Sequence, residues 1–210
     1  MFTVMVTGGL GSGKSTLVEL LRAKGALTLD LDDVSHALLS DCPPYIEELA
    51  ERFGSGILDD EGAVVPARLA QRAFASAEDC AALNAISFPY IEQRVSDYVL
   101  DVHCTPRADA RVLVLEVALL AEAPQLAALA DAVIAVVVAP ELRLRRAIAR
   151  GMQPQDALSR MQLQASDAER AALAGAVCEN DGTLEQLSAW AEAWWDATVP
   201  AASAGHEGRG

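Results

Sequence analysis

The segment that most constrains this chain lies near its N-terminus, where residues 7–16 read TGGLGSGKST. It contains the complete pattern G-x-x-x-x-G-K-[ST], with Gly8, Gly13, Lys14 and Ser15 at the defining positions. Glycines let backbone N–H groups approach phosphate oxygens, the lysine reaches the β- and γ-phosphates, and the serine hydroxyl binds Mg²⁺. A glycine-rich turn without a ligand is disfavoured, because a strand-like run precedes the segment and a helical pattern, 15–23, follows it. The segment therefore predicts a phosphate-binding loop, the P-loop.

Strand-like runs occur at 3–7, 27–29, 111–117 and 131–138, and helical patterns separate them. This alternation indicates a parallel sheet that is covered by helices on both faces. Together with the P-loop, it predicts an α/β fold of the P-loop NTPase class, with a helical lobe, a lid and a parallel five-stranded sheet, four strands of which correspond to these runs.

We predict a single domain over 1–198, with its core at about 1–40, 105–140 and 174–198. The helical lobe covers about 41–104 and is interrupted near 54–62 and at Pro89. The lid covers about 141–173 and contains a hinge at 151–154. Residues 199–210 are expected to form a disordered tail.

Composition limits the partners and the cellular location that we expect for this protein. The chain has 210 residues and a net charge of −14, which disfavours nucleic acid and anionic membranes as partners. No apolar run approaches the roughly 18 residues of a membrane span, and the N-terminus resembles a core strand and not a signal peptide. The four cysteines are widely spaced, which is typical of reduced thiols. We therefore expect a soluble cytoplasmic protein, with no protein partner implied, that attracts an anionic nucleotide through local positive groups and Mg²⁺.

Acidic residues follow the second strand, in the sequence Leu29-Asp-Leu-Asp-Asp33. If Asp30 and Asp32 both belong to the strand, they share one face at its carboxyl end, where α/β sheets bind ligands. A carboxylate there can accept a proton or bind Mg²⁺, and we favour Asp32 for this role. The alternative is that Asp32 or Asp33 caps a helix over 34–39, for which Asp33 is the better candidate. His36, one helical turn after Asp32, either faces a substrate or lies on the helix surface.

Three further features have two readings each. Arg146 and Arg150 share a helix face and indicate a phosphate contact, whereas Arg143 and Arg145 are expected on a solvated face, paired with surface carboxylates. Asn180 precedes Asp-Gly and either forms a turn or contacts adenine. Glu116, near the end of a core strand, is either an acid that serves Mg²⁺ or a buried acid paired with arginine.

These residues together resemble the dephospho-CoA kinase family, from Val4 to about Ala197. The P-loop resembles the family's T-G-G-I-G-S-G-K-S-T, Leu29-Asp-Leu-Asp32 its I-D-A-D, and Glu179-Asn-Asp-Gly182 its [DE]-N-[DN]-G. Further matches are to F-G-x-x-I-L…D-G at 53–62, to P-E-x-Q-L-x-R-L-x-x-R at 140–150, and to R-[IM]-x-x-Q at 160–164. The P-loop alone fits many families, but these motifs in this order are far more specific.

The resemblance implies an enzyme that transfers phosphate from ATP to the ribose 3′-hydroxyl of dephospho-CoA, with Mg²⁺ as cofactor. It implies Asp32 as catalytic base, with Lys14 and the lid residue Arg146 also catalytic. The implied ATP-binding residues are Gly9, Gly11, Ser12, Gly13, Lys14, Ser15, Thr16, Arg146 and Asn180. Ser15 would bind Mg²⁺, and the acceptor would contact Asp32, His36, Arg68 and Glu122.

The chain departs from the family pattern mainly on the acceptor side. Phe88-Pro89 replaces His-Pro, Ala118 replaces the proline of V-P-L-L-F-E, and Pro66 stands where an arginine is expected, two residues before Arg68. Two alternatives follow: another small-metabolite or nucleotide kinase of the same architecture, and a catalytically silent nucleotide-binding relative. A GTP-dependent switch is disfavoured because the chain has no N-K-x-D motif.

Overall fold

The computed structural model describes residues 1–104, 111–118, 120–121 and 123–199. The strands are β1 (Phe2–Gly8), β2 (Leu27–Asp30), β3 (Val112–Val117), β4 (Ala132–Val137) and β5 (Ala176–Glu179). The helices are α1 (Lys14–Ala23), α2 (Leu31–Asp41), α3 (Pro43–Phe53), α4 (Pro66–Ala73), α5 (Ala77–Cys104), α6 (Pro140–Ala149), α7 (Pro154–Leu163), α8 (Asp167–Ala172) and α9 (Leu184–Thr198). The chain divides into two compact units, residues 1–29 with 107–210 and residues 30–106.

The first unit contains a five-stranded sheet in the order β2-β3-β1-β4-β5. The pairs β1–β3, β1–β4 and β4–β5 are parallel, and Val6 lies opposite both Glu116 and Ile134 in the register. Because β1 is central, the P-loop that follows it opens at the carboxyl ends of the strands, where such sheets bind ligands. The predicted α/β fold with a five-stranded parallel sheet is confirmed.

Both faces of the sheet are buried. Val4 and Val6 pack with Leu17 and Leu21 of α1 and Leu187 of α9 in one apolar cluster. On the opposite face of the sheet, side chains of β1, β3 and β4 are also fully buried, and these are Met5, Leu113, Leu115 and Ala135. Strands that are apolar on both faces need cover on both sides, which explains why they read as continuous hydrophobic runs.

In the second unit, the interruption predicted near 54–62 is present, since α3 ends at Phe53, Gly54 has a φ of 82° and α4 begins only at Pro66. The break predicted at Pro89 is wrong, because α5 runs through it. A proline inside a helix costs about 3 kcal/mol. Packing on both sides of Pro89 offsets this cost: Ser87 bonds to buried Tyr45 at 2.8 Å, and Ile91 is buried one turn later.

The start of α2 also differs from the prediction. The helix begins at Leu31, and Asp30 caps it by accepting a hydrogen bond of 2.8 Å from the N–H of Asp32. Asp33 lies inside the first turn, so its predicted capping role is wrong. Asp30 and Asp32 are therefore not two strand residues on one face: Asp30 ends the strand and Asp32 belongs to the helix.

Candidate active site

The P-loop has the backbone conformation that its glycines permit. Gly11 and Gly13 have φ values of 75° and 95°, in the left-handed region that favours glycine. The N–H of Ser12 donates to the carbonyl of Gly9 at 3.1 Å, which closes the loop on itself. The helix α1 then begins at Lys14.

The N-terminus of α1 is suited to an anion. A helix has no internal acceptors for its first N–H groups, and Gly13, as the N-cap, has no side chain to supply one. These groups and the helix dipole favour a phosphate at this position. The hydroxyl of Ser12 lies beside Gly8 and is fully buried, and among the described residues it has no hydrogen-bond partner.

Lys14 and Ser15 meet the carboxylate of Glu116. The Ser15 hydroxyl donates to Oε1 of Glu116 at 2.8 Å, and the Lys14 ammonium lies 3.9 Å from the same oxygen. The side chains of Lys14 and Glu116 are only 14% and 12% exposed. Of the two readings of Glu116, this geometry favours the acid that serves a metal, because it contacts the serine that the motif assigns to Mg²⁺.

Asn180 and Arg146 hold the other side of the loop. Asn180 is buried after β5, and its Nδ2 donates to the carbonyl of Ser12 at 2.8 Å. Arg146 of α6 donates from Nη2 to the carbonyl of Asn180 at 2.9 Å and from Nη1 to that of Ser12 at 3.4 Å. Asn180 is therefore more than a turn residue, since its side chain packs on Gly13. The structure brings Arg146, Asn180 and the P-loop together.

Arg143 corrects the sequence-based interpretation. The sequence predicts a solvated face for Arg143, but it is 6% exposed, and its Nε donates to the carbonyl of Leu10 at 3.0 Å. Arg145, its neighbour, is exposed as expected. Gln164 and Asp167 complete the surroundings of Arg143, at 3.3 Å each. The motif R-[IM]-x-x-Q contains Gln164 without giving it a role, and no sequence pattern marks Asp167.

The loop itself contains a signal that another segment packs on it, although this signal does not identify Arg143. Gly9 and Gly11 occupy variable positions of the motif, and glycine at such positions indicates close approach of another chain segment. In the structure, a side chain on Gly9 would overlap the Arg143 guanidinium, and one on Gly11 would overlap the Arg143 carbonyl.

The predicted acceptor residues lie in the second unit, apart from Glu122, which lies outside the described residues. Asp32 and His36 are exposed on α2, and Nδ1 of His36 donates to the Asp32 carbonyl at 3.0 Å. Arg68 is exposed on α4 and donates to the carbonyl of Leu58 at 2.7 Å. The contact of His36 is therefore with the backbone of Asp32, one helical turn earlier.

Comparison with known proteins identifies a protein family and individual proteins that are similar to this chain. Residues 2–186 match the sequence profile described as CoaE, dephospho-CoA kinase. The chain is 36% identical over 196 residues to a dephospho-CoA kinase of Corynebacterium diphtheriae, covering 93% of this chain and 96% of that protein.

Solved structures share the fold. TT1252 from Thermus thermophilus superposes with a TM-score of 0.76 at 28% identity, covering 95% of this chain and 98% of that one. Shikimate kinase from Acinetobacter baumannii superposes with a TM-score of 0.53 at 15% identity, covering 95% and 96%, and shows the fold alone.

Proposed function

The chain belongs to the dephospho-CoA kinase family, and from this premise we propose that it transfers the γ-phosphate of ATP to the ribose 3′-hydroxyl of dephospho-CoA. The products are CoA and ADP, and the reaction is the last step of coenzyme A biosynthesis. The observation that carries the proposal is the meeting of Lys14 and Ser15 with Glu116 at the N-terminus of α1. A lysine, a magnesium-binding hydroxyl and helical N–H groups at one point form the phosphate site of a P-loop kinase.

We propose that Ser15 and Glu116 hold Mg²⁺ together with the nucleotide. The Ser15 hydroxyl oxygen and Oε1 of Glu116 are 2.8 Å apart, and oxygen atoms of this kind are the ligands that Mg²⁺ prefers. The bound ion would neutralise negative charge on the β- and γ-phosphates. Lys14 lies beside the same carboxylate, and we propose that it bridges these phosphates.

The transfer itself depends on positioning and on charge stabilisation. The ribose 3′-oxygen forms a bond to the γ-phosphorus while the bond from that phosphorus to the β,γ-bridging oxygen breaks, and ADP leaves. We propose that Asp32, exposed in the first turn of α2, accepts the proton of the 3′-hydroxyl. We further propose that His36, Arg68 and Glu122 contact the acceptor, and that α6–α8 form a lid from which Arg146 stabilises the transferring phosphate.

The net charge of −14 supports a role without nucleic acid or anionic membrane as a partner. Along the described part of the chain, every helix is too short or too polar to cross a lipid bilayer. We propose that the protein works in the cytoplasm.

An ADP-release assay with several acceptors tests the function. The purified protein, ATP and Mg²⁺ are offered dephospho-CoA, nucleoside monophosphates or shikimate in parallel. We expect rapid ADP release with dephospho-CoA and little with the others. Preference for another acceptor would assign the chain to a different kinase activity, and ATP binding without ADP release would identify a silent relative.

A further inference from the structure

The peptide of Leu10, in the middle of the P-loop, is held at both of its polar groups by side chains from outside the loop. Its N–H donates to Oε1 of Gln164 at 2.8 Å, and its carbonyl accepts from Nε of Arg143 at 3.0 Å. Arg143 also donates from Nη2 to the same Gln164 oxygen at 3.3 Å. Leu10, Gln164 and Arg143 therefore form a closed ring of hydrogen bonds.

The ring is anchored to the sheet through Asp167. This carboxylate accepts from Nη1 of Arg143 at 3.3 Å and from the N–H of Val138, just after β4, also at 3.3 Å. Fully buried Arg170 donates to it at 3.5 Å. A buried guanidinium is costly unless it is paired and hydrogen-bonded, and Arg143 meets both conditions.

Close packing of two loop glycines against Arg143 also restricts the conformation of the P-loop. Gly9 contacts the end of the Arg143 side chain and Gly11 contacts its backbone carbonyl, so neither position has room for a Cβ atom. The loop backbone therefore packs directly on α6 along the segment that precedes the phosphate-binding turn.

We propose that Arg143 is a positioning residue that works with Gln164 to hold the P-loop in its phosphate-binding conformation. It acts through the Leu10 peptide and does not itself contact the nucleotide. The inference rests on the proposed function, because it assumes that the loop binds ATP. It assigns to Arg143 the contact with the Leu10 peptide, whereas the side chains of the motif residues Lys14 and Ser15 meet Glu116.

Nucleotide affinity tests the proposal without requiring turnover. Calorimetry in excess Mg²⁺ gives Kd values for ATP and ADP with the parent protein, Arg143→Ala and Arg143→Lys. We expect Arg143→Ala to raise both Kd values by about tenfold. The Leu10 carbonyl loses a charge-assisted hydrogen bond, and the loop is no longer connected to Asp167 through Arg143. Arg143→Lys should give an intermediate rise, because lysine keeps one donor but cannot form the ring. Arg145→Ala, which removes an exposed arginine from the same helix, is the matched control and should leave both values unchanged.

Dephospho-CoA affinity and thermal unfolding, measured on the same samples, separate positioning from general loss of structure. A positioning role predicts weaker ATP and ADP binding with dephospho-CoA binding unchanged. Lower stability with unchanged nucleotide affinity would overturn the proposal.

Gln164→Met keeps the proposal testable even if Arg143→Ala does not fold. In this variant Asp167 still accepts hydrogen bonds from Arg143 and Arg170. Methionine matches the length of glutamine but provides no strong acceptor for the Leu10 N–H. It should also weaken ADP binding. The loss of binding free energy in the double variant Arg143→Ala/Gln164→Met should be smaller than the sum of the two single losses, because both residues act in one network. If the parent binds ATP and each single variant binds it equally well, this inference alone fails. If the parent does not bind ATP, the proposed function fails as well.

Discussion

Glu116, at the end of β3, accepts a hydrogen bond of 2.8 Å from Ser15 in the first turn of α1. Glu116→Gln preserves the size and one acceptor but removes the charge that a cation requires. We expect the Mg²⁺ concentration for half-maximal rate to rise about tenfold and kcat to fall about 10- to 100-fold.

Initial rates over a Mg²⁺ titration measure this effect. Glu179→Gln, at the exposed end of β5, is a matched control that should leave the titration unchanged. An unchanged Mg²⁺ requirement in Glu116→Gln would mean that Glu116 does not bind the metal and only contacts Ser15 and Lys14.

Arg146→Ala should lower kcat more than it raises the KM for ATP, because a lid arginine stabilises charge that develops during transfer. We expect a fall in kcat of about 10²-fold or more, by analogy with other transition-state donors. Steady-state kinetics over a range of ATP concentrations separate the two constants. Arg145→Ala on the same helix serves as control. A rise in KM with an unchanged kcat would mean that Arg146 only packs Asn180 against the P-loop.

Asp32→Asn removes the carboxylate while keeping the size of the side chain. If Asp32 accepts the proton of the acceptor hydroxyl, kcat should fall by about 10²- to 10⁴-fold, the usual contribution of a positioned general base. ATP–Mg²⁺ affinity, measured by calorimetry, should change little.

Asp33→Asn is the control for Asp32, because Asp33 is exposed in the same helical turn and does not cap α2. Its kcat should remain near that of the parent. A large loss at Asp33 and not at Asp32 would place the base one residue later, and a collapse of ATP–Mg²⁺ affinity in Asp32→Asn would make Asp32 chiefly a metal ligand.

The capping box of α8 makes a separate prediction about pH. Hydrogen bonds from the N–H and hydroxyl of Ser166 lower the pKa of Glu169 from its ordinary value of 4.5. A depressed pKa in the folded protein means that the carboxylate contributes stability above pH 4.5 and that this contribution is lost as the pH falls through the folded pKa. Glu169→Gln should therefore lower Tm at pH 7, and the difference from the parent should shrink below pH 4.5. A difference in Tm that is constant from pH 7 to pH 3 would contradict this reasoning.

The sheet and the P-loop could be predicted because their signals are local. The strand runs are apolar on both faces, and the motif fixes which residues lie at the start of α1. Four of the five strands and the start of α1 could be located in this way, whereas the strand order β2-β3-β1-β4-β5 depends on pairing between distant segments.

Arg143 and Pro89 could not be predicted from local patterns. Helical periodicity marks apolar residues as buried, but it cannot show that an arginine is buried when its partners, Leu10 and Asp167, lie far away in the sequence. Similarly, α5 continues through Pro89 where Tyr45 of α3 contacts both Ser87 and Tyr90. In both cases the contacts that decide the outcome come from residues distant in the sequence.

Identification of the reaction product tests the central claim most directly. The purified protein is incubated with ATP, Mg²⁺ and dephospho-CoA, and the products are analysed by ³¹P NMR and mass spectrometry, with Lys14→Ala as the inactive control. The proposed function predicts ADP and CoA in equal amounts, with the new phosphomonoester at the ribose 3′-oxygen and neither product from Lys14→Ala. Release of ADP without CoA, or a phosphate on a different hydroxyl, would contradict it.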